Sequence, residues 1–186
     1  MALTPSNMLP LGTKAPYFKL PDAASGKIIS YNDIKGKYGT LIVFICNHCP
    51  YVKHINKQFS AVASQYIHKG IGIAAISSND VERYPEDAPE KMKEVAMAEN
   101  YCFPYLYDET QEVARAYDAA CTPDFYLFDA QDMLVYRGQF DDSRPGNNVP
   151  VTGKDLVAAM DALIEGRPIS PIQRPSTGCN IKWKNA

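Results

Sequence analysis

The sequence of 186 residues lacks long hydrophobic runs. Its longest apolar stretches, residues 41 to 46 and 71 to 76, have the length of β-strands, whereas a helix that spans a bilayer needs about 20 apolar residues. Residues 1 to 16 also lack the charged start and the continuous apolar centre of a signal peptide. We therefore predict a cytoplasmic protein that does not associate with a membrane.

The sequence also lacks an excess of charge of either sign. It has 19 Lys and Arg residues against 21 Asp and Glu residues, which gives a formal net charge of -2. Because there is no basic run, we predict no nucleic-acid partner. The hydrophobic share of 46% and the charged share of 22% are typical of a globular protein, and the length fits one main domain.

Cysteines are few, scattered and odd in number, which argues against a secreted scaffold held together by disulfides. The five cysteines are Cys46, Cys49, Cys102, Cys121 and Cys179. In a reducing compartment, two cysteines that are close in sequence more often have a catalytic or a metal-binding role. Cys46 and Cys49 form such a pair.

The clearest structural pattern surrounds this pair. Residues 40 to 45 (TLIVFI) and 71 to 77 (IGIAAIS) are apolar runs of strand length, as expected for strands buried on both faces. Between them, apolar residues recur at spacings of three and four, which predicts one buried face of a helix that ends near Gly70. Those residues are Val52, Ile55, Phe59, Val62 and Tyr66. Strand, helix and strand in this order predict a βαβ unit.

The remaining patterns predict an N-terminal hairpin, three more helices and two antiparallel strands. The hairpin covers residues 21 to 30 and turns at Gly26. Two helices follow at about 88 to 98 and 110 to 117, and the two strands lie at about 124 to 130 and 133 to 140. Thr152 with Asp155 forms the predicted N-terminal cap of a last helix. We predict an α/β fold in which helices flank a mixed central sheet. Residues 1 to 166 form the domain, and residues 167 to 186, rich in proline and polar residues, form a tail over its surface.

The cysteine pair lies where the first buried strand ends and the next helix begins, which is where a reactive group is expected in such a fold. A free thiol has a pKa near ~8.5, but at a helix N-terminus the unpaired N–H groups favour the thiolate. A second thiol within one turn can then attack the mixed disulfide that the first thiol forms. The spacing therefore predicts thiol-disulfide exchange.

Pro50 indicates which thiol attacks. Proline has no N–H and fits the first position of a helix best, which would make Cys49 the capping residue and place Cys46 on the preceding loop. We therefore predict that Cys49 is the nucleophile and that Cys46 resolves the intermediate.

The sequence resembles the thioredoxin-fold redoxins, the alkyl hydroperoxide reductase/thiol-specific antioxidant group, over about residues 10 to 165. The residues that carry the resemblance are Gly12, Ala15, Pro16, Phe18, Leu20, Asp22, Gly26, Lys27, Gly36 and Lys37. The closing segment RPSTGCNIKWK is similar to a subgroup of thioredoxin-family proteins that also has a C-N-H-C-P segment. The resemblance implies a thioredoxin-like fold and redox chemistry at cysteine.

The resemblance also implies individual site residues. Cys49 and Pro50 match the peroxidatic Cys-Pro of peroxiredoxins, and Cys49 matches the first cysteine of thioredoxins, whose second cysteine is replaced here by Val52. Thr122 and Pro123 resemble the cis-proline loop of thioredoxin-like oxidoreductases, where a polypeptide substrate pairs with the backbone. Pro123 stands where peroxiredoxins have an arginine, and Cys46 stands where they have a threonine, so the resemblance favours disulfide over peroxide chemistry.

Other functional assignments stay open at this point. His48 either lowers the pKa of Cys49 as a charged neighbour or is a loop residue without a role. Cys46, His48 and Cys49 could also be copper or zinc ligands, as in thioredoxin-fold metal chaperones. Cys179 either resolves a distant intermediate or anchors the tail. The acidic segment 79 to 90 follows the second strand and could line the rim of the site, although its charges alone indicate a solvated face.

We predict a thiol-disulfide oxidoreductase with Cys49 as nucleophile, Cys46 as resolving thiol, and His48, Pro50, Thr122 and Pro123 in support. A thiol-dependent peroxidase and a metal carrier are the alternatives. The expected substrate is a protein disulfide, a small disulfide or a peroxide, and an external thiol reductant, such as a thioredoxin or glutathione system, restores the thiols. No organic cofactor and no resident metal are expected.

Overall fold

The computed structural model describes residues 3 to 184 and shows a central sheet of five strands. The strands are β1 (Leu3–Pro5), β2 (Lys19–Pro21), β3 (Ile28–Ser30), β4 (Gly39–Phe44), β5 (Ile71–Ser77), β6 (Tyr105–Tyr107), β7 (Cys121–Thr122), β8 (Asp124–Asp129), β9 (Leu134–Gly138) and β10 (Thr177–Asn180). The helices are α1 (Pro50–His68), α2 (Pro89–Ala98), α3 (Glu112–Ala116) and α4 (Lys154–Ile164), with 3-10 turns at Tyr31–Ile34 and Pro85–Asp87.

The central sheet is mixed, as predicted. Strand β4 runs parallel to β5, with Leu41 opposite Ile73, and antiparallel to β8, with Leu41 opposite Leu127. Strand β6 continues the parallel half, and β9 continues the antiparallel half. Every residue of β4 is buried, which explains why its sequence is continuously apolar rather than alternating.

The sheet separates two hydrophobic clusters. Alternate residues of β4 point to opposite faces, so Leu41 and Val43 pack in one cluster and Ile42 and Phe44 in the other. The predicted apolar face of α1 is buried in the first cluster and confirms the helical pattern. Within residues 3 to 184, no helix is both long and apolar enough to cross a membrane.

The N-terminal hairpin is confirmed. Strands β2 and β3 are antiparallel, and Gly26 in their turn has a φ of +70°, a conformation that glycine adopts without strain. The Asp22 carboxylate accepts hydrogen bonds from Ser25 in the turn and from the backbone N–H of Tyr105. The hairpin is therefore fastened to the edge of the central sheet at β6.

The predicted cap of the last helix is wrong. Helix α4 begins at Lys154, and its N-cap is Gly153, which has a φ of +71°. The Asp141 carboxylate accepts hydrogen bonds from the backbone N–H groups of Thr152 and Gly153, both 2.6 Å long. Asp155 instead accepts a hydrogen bond from Gln139. Asp141 therefore holds the turn before α4 rather than its first turn. The backbone N–H groups of residues 155 and 156 donate to the carbonyl oxygen of Phe140, at 3.2 and 3.3 Å, so a distant backbone carbonyl takes the place of the predicted capping box.

The prediction of a surface tail from residue 167 onward differs from the structure in the second half of that segment. Residues 167 to 175 are mostly exposed, but β10 lies in the middle of a second sheet with the order β1-β10-β7. Cys179 and Ile181 are buried in the two hydrophobic clusters. The chain therefore returns to the domain and adds a strand to it, because these apolar side chains gain from burial.

Candidate active site

The loop between β4 and α1 carries the cysteine pair. Helix α1 begins at Pro50 with Cys49 as its N-cap, as the proline predicted. The carbonyl oxygen of Cys49 accepts the first helical hydrogen bond, from the N–H of Lys53, at 3.0 Å. Pro50 costs no hydrogen bond in this position, since the first N–H groups of a helix have no intrahelical partner. Cys46 lies on the loop before the helix.

Three thiols meet at this junction. The Sγ atoms of Cys49 and Cys179 are 2.8 Å apart, and Cys46 Sγ lies 3.5 Å from the hydroxyl of Thr122. Cys49 Sγ also lies 3.2 Å from the backbone oxygen of Thr122, to which a protonated Cys49 donates. All three cysteines are buried, and Cys49 is 0% exposed.

The surroundings make Cys49 the acidic thiol of the three. Hydrogen bonding by the Cys46 thiol is the strongest influence and, with the Cys179 thiol, lowers the pKa of Cys49 to about 5 against the opposing effect of burial. The backbone N–H of Val52, in the first turn of α1, favours the thiolate further, although it makes no capping hydrogen bond. Cys49 is therefore an anion near neutral pH.

The two neighbouring thiols keep their protons. The pKa of Cys46 is raised well above its usual value, first by its hydrogen bond to Cys49 and then by burial. Burial and the hydrogen bond to Cys49 raise the pKa of Cys179 to about 12. The cluster thus consists of one thiolate and two thiol donors.

The proline loop closes the other side of the site. The peptide bond between Thr122 and Pro123 is cis, and Thr122 lies opposite Cys179 in the register of β7 and β10. A Cβ atom on Gly178 would lie 2.0 Å from the backbone oxygen of Thr122, so only glycine allows the two backbones to approach this closely. Gly178 brings Cys179 to the sulfur of Cys49.

The side chain of His48 interacts with Asp87 and Tyr84. Its Nδ1 lies 2.7 Å from the carboxylate of Asp87, and its ring stacks on Tyr84 at a centroid distance of 5.4 Å. The hydrogen bond with Asp87 raises the pKa of His48. The groups that most strongly lower the pKa of Cys49 are the neighbouring thiols, whereas lowering this pKa was only one of the two roles that the sequence left open for His48.

Asp87 was missed as a site residue. It is fully buried, and it accepts hydrogen bonds of 2.7 Å from the backbone N–H of Asn47 and from the side chain of Asn79. Burial raises its pKa, but the hydrogen bonds from His48 and Asn79 outweigh burial and lower it below its usual value. The sequence left open whether the acidic segment 79 to 90 lines the rim of the site or is only a solvated face, and nothing in its spacing distinguishes Asp87 from its exposed neighbours.

Comparison with known proteins now identifies the family. The sequence model of the AhpC/TSA family matches residues 11–137, more than half of the chain. The chain belongs to the AhpC/TSA family. No curated protein shows significant similarity to the sequence.

Solved structures agree with the redoxin assignment. An uncharacterized conserved protein from Geobacillus kaustophilus is 56% identical, with a TM-score of 0.98 over 100% of this chain and 98% of that one. A hypothetical protein from Sinorhizobium meliloti is 46% identical, with a TM-score of 0.96 over 98% and 100% of the two chains. The thioredoxin domain of a thiol-disulfide oxidoreductase from Bacteroides vulgatus is 22% identical, with a TM-score of 0.58 over 69% and 88%, and this similarity shows the thioredoxin-like fold alone.

Among residues 3 to 184 of this redoxin, one group of side chains could ligate a metal ion. Ligand atoms of Cys46, His48 and Asp87 lie within 4.8 Å of one another. The ligand set considered from the sequence was Cys46, His48 and Cys49, and in the structure Asp87 replaces Cys49 in this set. Both oxygens of Asp87 already accept hydrogen bonds, from Asn47, His48 and Asn79. A cation would have to displace these bonds, so the geometry favours a hydrogen-bonded network.

The other two cysteines of the redoxin differ from the cluster. Cys102 is exposed. Cys121 is buried, its sulfur lies 3.7 Å from the backbone oxygen of Pro123, and burial raises its pKa. A buried thiol that holds its proton in this way is a poor nucleophile.

Proposed function

We propose that this redoxin is a thiol-disulfide oxidoreductase in which Cys49 is the nucleophile and Cys46 is the resolving thiol. The observation that carries the proposal is the sulfur of Cys49, which sits at the N-terminus of α1 with a pKa of about 5 and two thiol donors beside it. Since free cysteine has a pKa near ~8.5, Cys49 is ionised at a pH where ordinary thiols are not.

The reaction begins with attack of the Cys49 thiolate on a disulfide. One substrate sulfur bonds to Cys49, and the other leaves as a thiolate that takes a proton from solvent. Cys46 then attacks the Cys49 sulfur and gives up its proton as the second substrate thiol leaves. The substrate is reduced by two electrons, and the protein holds a Cys46–Cys49 disulfide, which an external thiol reductant reopens.

The raised pKa of Cys46 suits the second step. While Cys49 is an anion, it is the main reason that Cys46 keeps its proton. That charge disappears when Cys49 enters the mixed disulfide, so Cys46 becomes more acidic at the moment when it must attack. The low pKa of Cys49 also makes it a good leaving group when the reductant regenerates the pair.

A peroxidase remains the second candidate, because an ionised cysteine also attacks a peroxide and the site is closed. Cys49 is fully buried, with the β10 residue Cys179 against its sulfur, so a small oxidant needs less opening of the site than a polypeptide does. Two observations argue against this alternative. Cys46, which contacts the Thr122 hydroxyl, stands where the resemblance to peroxiredoxins predicts a threonine, and Pro123 stands where it predicts an arginine. We therefore place disulfide exchange first.

Turnover of a model protein disulfide tests the proposal. Reduction of insulin by the protein with dithiothreitol should fall by roughly 10³-fold or more in Cys49→Ser, because the nucleophile is lost. Cys102→Ser is the matched control and should retain full activity, since Cys102 is exposed and outside the cluster.

The same variants should also be offered hydrogen peroxide. Consumption of peroxide that depends on Cys49 and exceeds the insulin reaction would favour the peroxidase. Undiminished insulin reduction by Cys49→Ser would refute the oxidoreductase, and undiminished peroxide consumption by the same variant would refute the peroxidase. Stoichiometric binding of copper or zinc by the reduced protein, lost in Asp87→Asn but not in Cys49→Ser, would point instead to a metal carrier.

A further inference from the structure

We propose that Cys179 is a third redox-active thiol, which exchanges with the Cys46–Cys49 disulfide to form a Cys49–Cys179 disulfide. The inference deepens the proposed function and rests on it, since the exchange begins from the disulfide that Cys46 and Cys49 form. It assigns to the C-terminal strand a part in the chemistry in addition to its part in the fold.

The first argument is the contact between the two sulfurs. Cys49 Sγ and Cys179 Sγ are 2.8 Å apart, and a disulfide bond is about 2.05 Å long, so an approach of about 0.8 Å joins them. Both residues are buried, which excludes bulk solvent from this contact.

The second argument is that the backbone holds Cys179 in this position from both sides. On one side, Gly178 allows close approach to Thr122, and the hydroxyl of Thr177 accepts a hydrogen bond of 3.0 Å from Arg144. On the other side, the carbonyl of Lys182 accepts a hydrogen bond of 2.8 Å from the N–H of Asp80. Cys179 is therefore a fixed member of the site.

The third argument links this strand to the Cys46 side of the site. The N–H of Lys182 donates to the side-chain oxygen of Asn79 at 2.8 Å, and the amide nitrogen of Asn79 donates to Asp87. Asp87 in turn accepts from the backbone of Asn47, beside Cys46. Asn79 thus connects the residues that directly follow β10 to the loop that carries the resolving thiol.

The exchange balances without an added oxidant. The Cys179 thiol attacks the Cys49 sulfur of the Cys46–Cys49 disulfide, the Cys49–Cys179 bond forms, and the Cys46–Cys49 bond breaks. Cys46 leaves as a thiolate and takes the proton that Cys179 gives up. No charge on Cys49 opposes ionisation of Cys179 in this state, because Cys49 is already in a disulfide.

Mapping of disulfides after controlled oxidation tests the proposal. The full-length reduced protein, Cys46→Ser, Cys179→Ser and the control Cys102→Ser are each treated with one equivalent of the thiol oxidant diamide. They are quenched in acid, alkylated, digested and analysed by mass spectrometry. The parent protein should yield both Cys46–Cys49 and Cys49–Cys179 peptides. Cys46→Ser should lose two of its four remaining thiols and yield Cys49–Cys179 alone.

The outcomes separate this inference from the proposed function. If Cys46→Ser keeps all four thiols, or if only Cys46–Cys49 forms in the parent protein, the inference is wrong while the proposed function stands. If the Cys49–Cys179 peptide forms but Cys49→Ser still reduces insulin normally, the proposed function is wrong, while Cys179 is still shown to be a redox-active partner of Cys49. Cys46→Ser retains Cys179, so the test does not depend on the folding of Cys179→Ser.

Discussion

The two thiols that flank Cys49 are held by different parts of the chain. Cys46 lies three residues before Cys49, on a loop whose backbone is bound to the buried carboxylate of Asp87. Cys179 lies 130 residues after Cys49, on a strand that pairs with β1 and β7. Both donate to the same sulfur, yet one is positioned by a local turn and the other by strand pairing.

This difference separates two tasks at the site. The local flank, formed by Cys46 and the loop bound to Asp87, has the stronger effect on the charge of Cys49, since hydrogen bonding by Cys46 lowers the pKa of Cys49 most. The distant flank, formed by Cys179 and the rest of β10, contributes less to that charge but covers the sulfur of Cys49, because β10 packs against this sulfur. We therefore expect changes on the local flank to alter acidity and changes on β10 to alter access.

Asp87→Asn should have the largest effect, through the local flank. It removes the charge that pairs with His48 and should destabilise the protein by about 3 to 5 kcal/mol, as expected when one partner of a buried ion pair is lost. Urea unfolding measures this loss. Glu86→Gln changes the exposed neighbouring carboxylate and should have little effect.

The loss in Asp87→Asn should also depend on pH. Asp87 raises the pKa of folded His48, so the pair contributes fully below the unfolded value of about 6.5, and the contribution is lost as pH rises through the folded value. The difference from the parent should therefore be greater at about pH 5.5 than at about pH 8.5. An equal loss at both pH values would show that His48 is not charged in the pair.

Cys46→Ala and Cys179→Ala compare the two flanks directly. Each removes one thiol donor and should raise the pKa of Cys49, with a larger rise, of about one to two pH units, in Cys46→Ala. The pH dependence of alkylation by iodoacetamide measures the shift, and Cys102→Ala should leave it unchanged. A larger rise in Cys179→Ala would reverse the proposed division of tasks.

Gly178→Ala should have the smallest effect, through the distant flank. The added Cβ meets the backbone oxygen of Thr122 and should push β10 outward, at a cost of about 1 to 3 kcal/mol. Cys49 should then be alkylated faster at a pH where it is fully ionised. The control Gly166→Ala adds its Cβ in open space at a φ of +67°, so it introduces backbone strain outside the site and should leave alkylation unchanged. Unaltered reactivity in Gly178→Ala would mean that β10 does not control access.

The local flank could be predicted from the sequence, and the distant flank could not. The apolar runs of β4 and β5, the helical stripe of α1 and the position of Pro50 are local patterns, and they place Cys49 at the N-cap correctly. Strand β10 has the sequence TGCN, without the alternation of apolar residues that marks a strand, and the residues directly before it are arginine, proline and serine.

Other parts of the site depend on contacts that no local pattern records. Gly178 is required only because Thr122 approaches it, and Asp87 is distinguished from other acidic residues only by its burial beside His48. The carbonyl of Phe140, which accepts hydrogen bonds from the first turn of α4, is another such contact. Tertiary structure decides in each case, so the position of Cys49 at the start of α1 could be predicted while half of its surroundings could not.

The most direct test of the account is the titration of Cys49 in the reduced protein. The rate of alkylation at Cys49, identified by mass spectrometry, should follow one ionisation with a midpoint of about 5, while Cys46 and Cys179 stay unreactive through neutral pH. A midpoint near the ~8.5 of a free thiol would contradict the claim that the surrounding thiols and the helix N-terminus hold Cys49 as an anion.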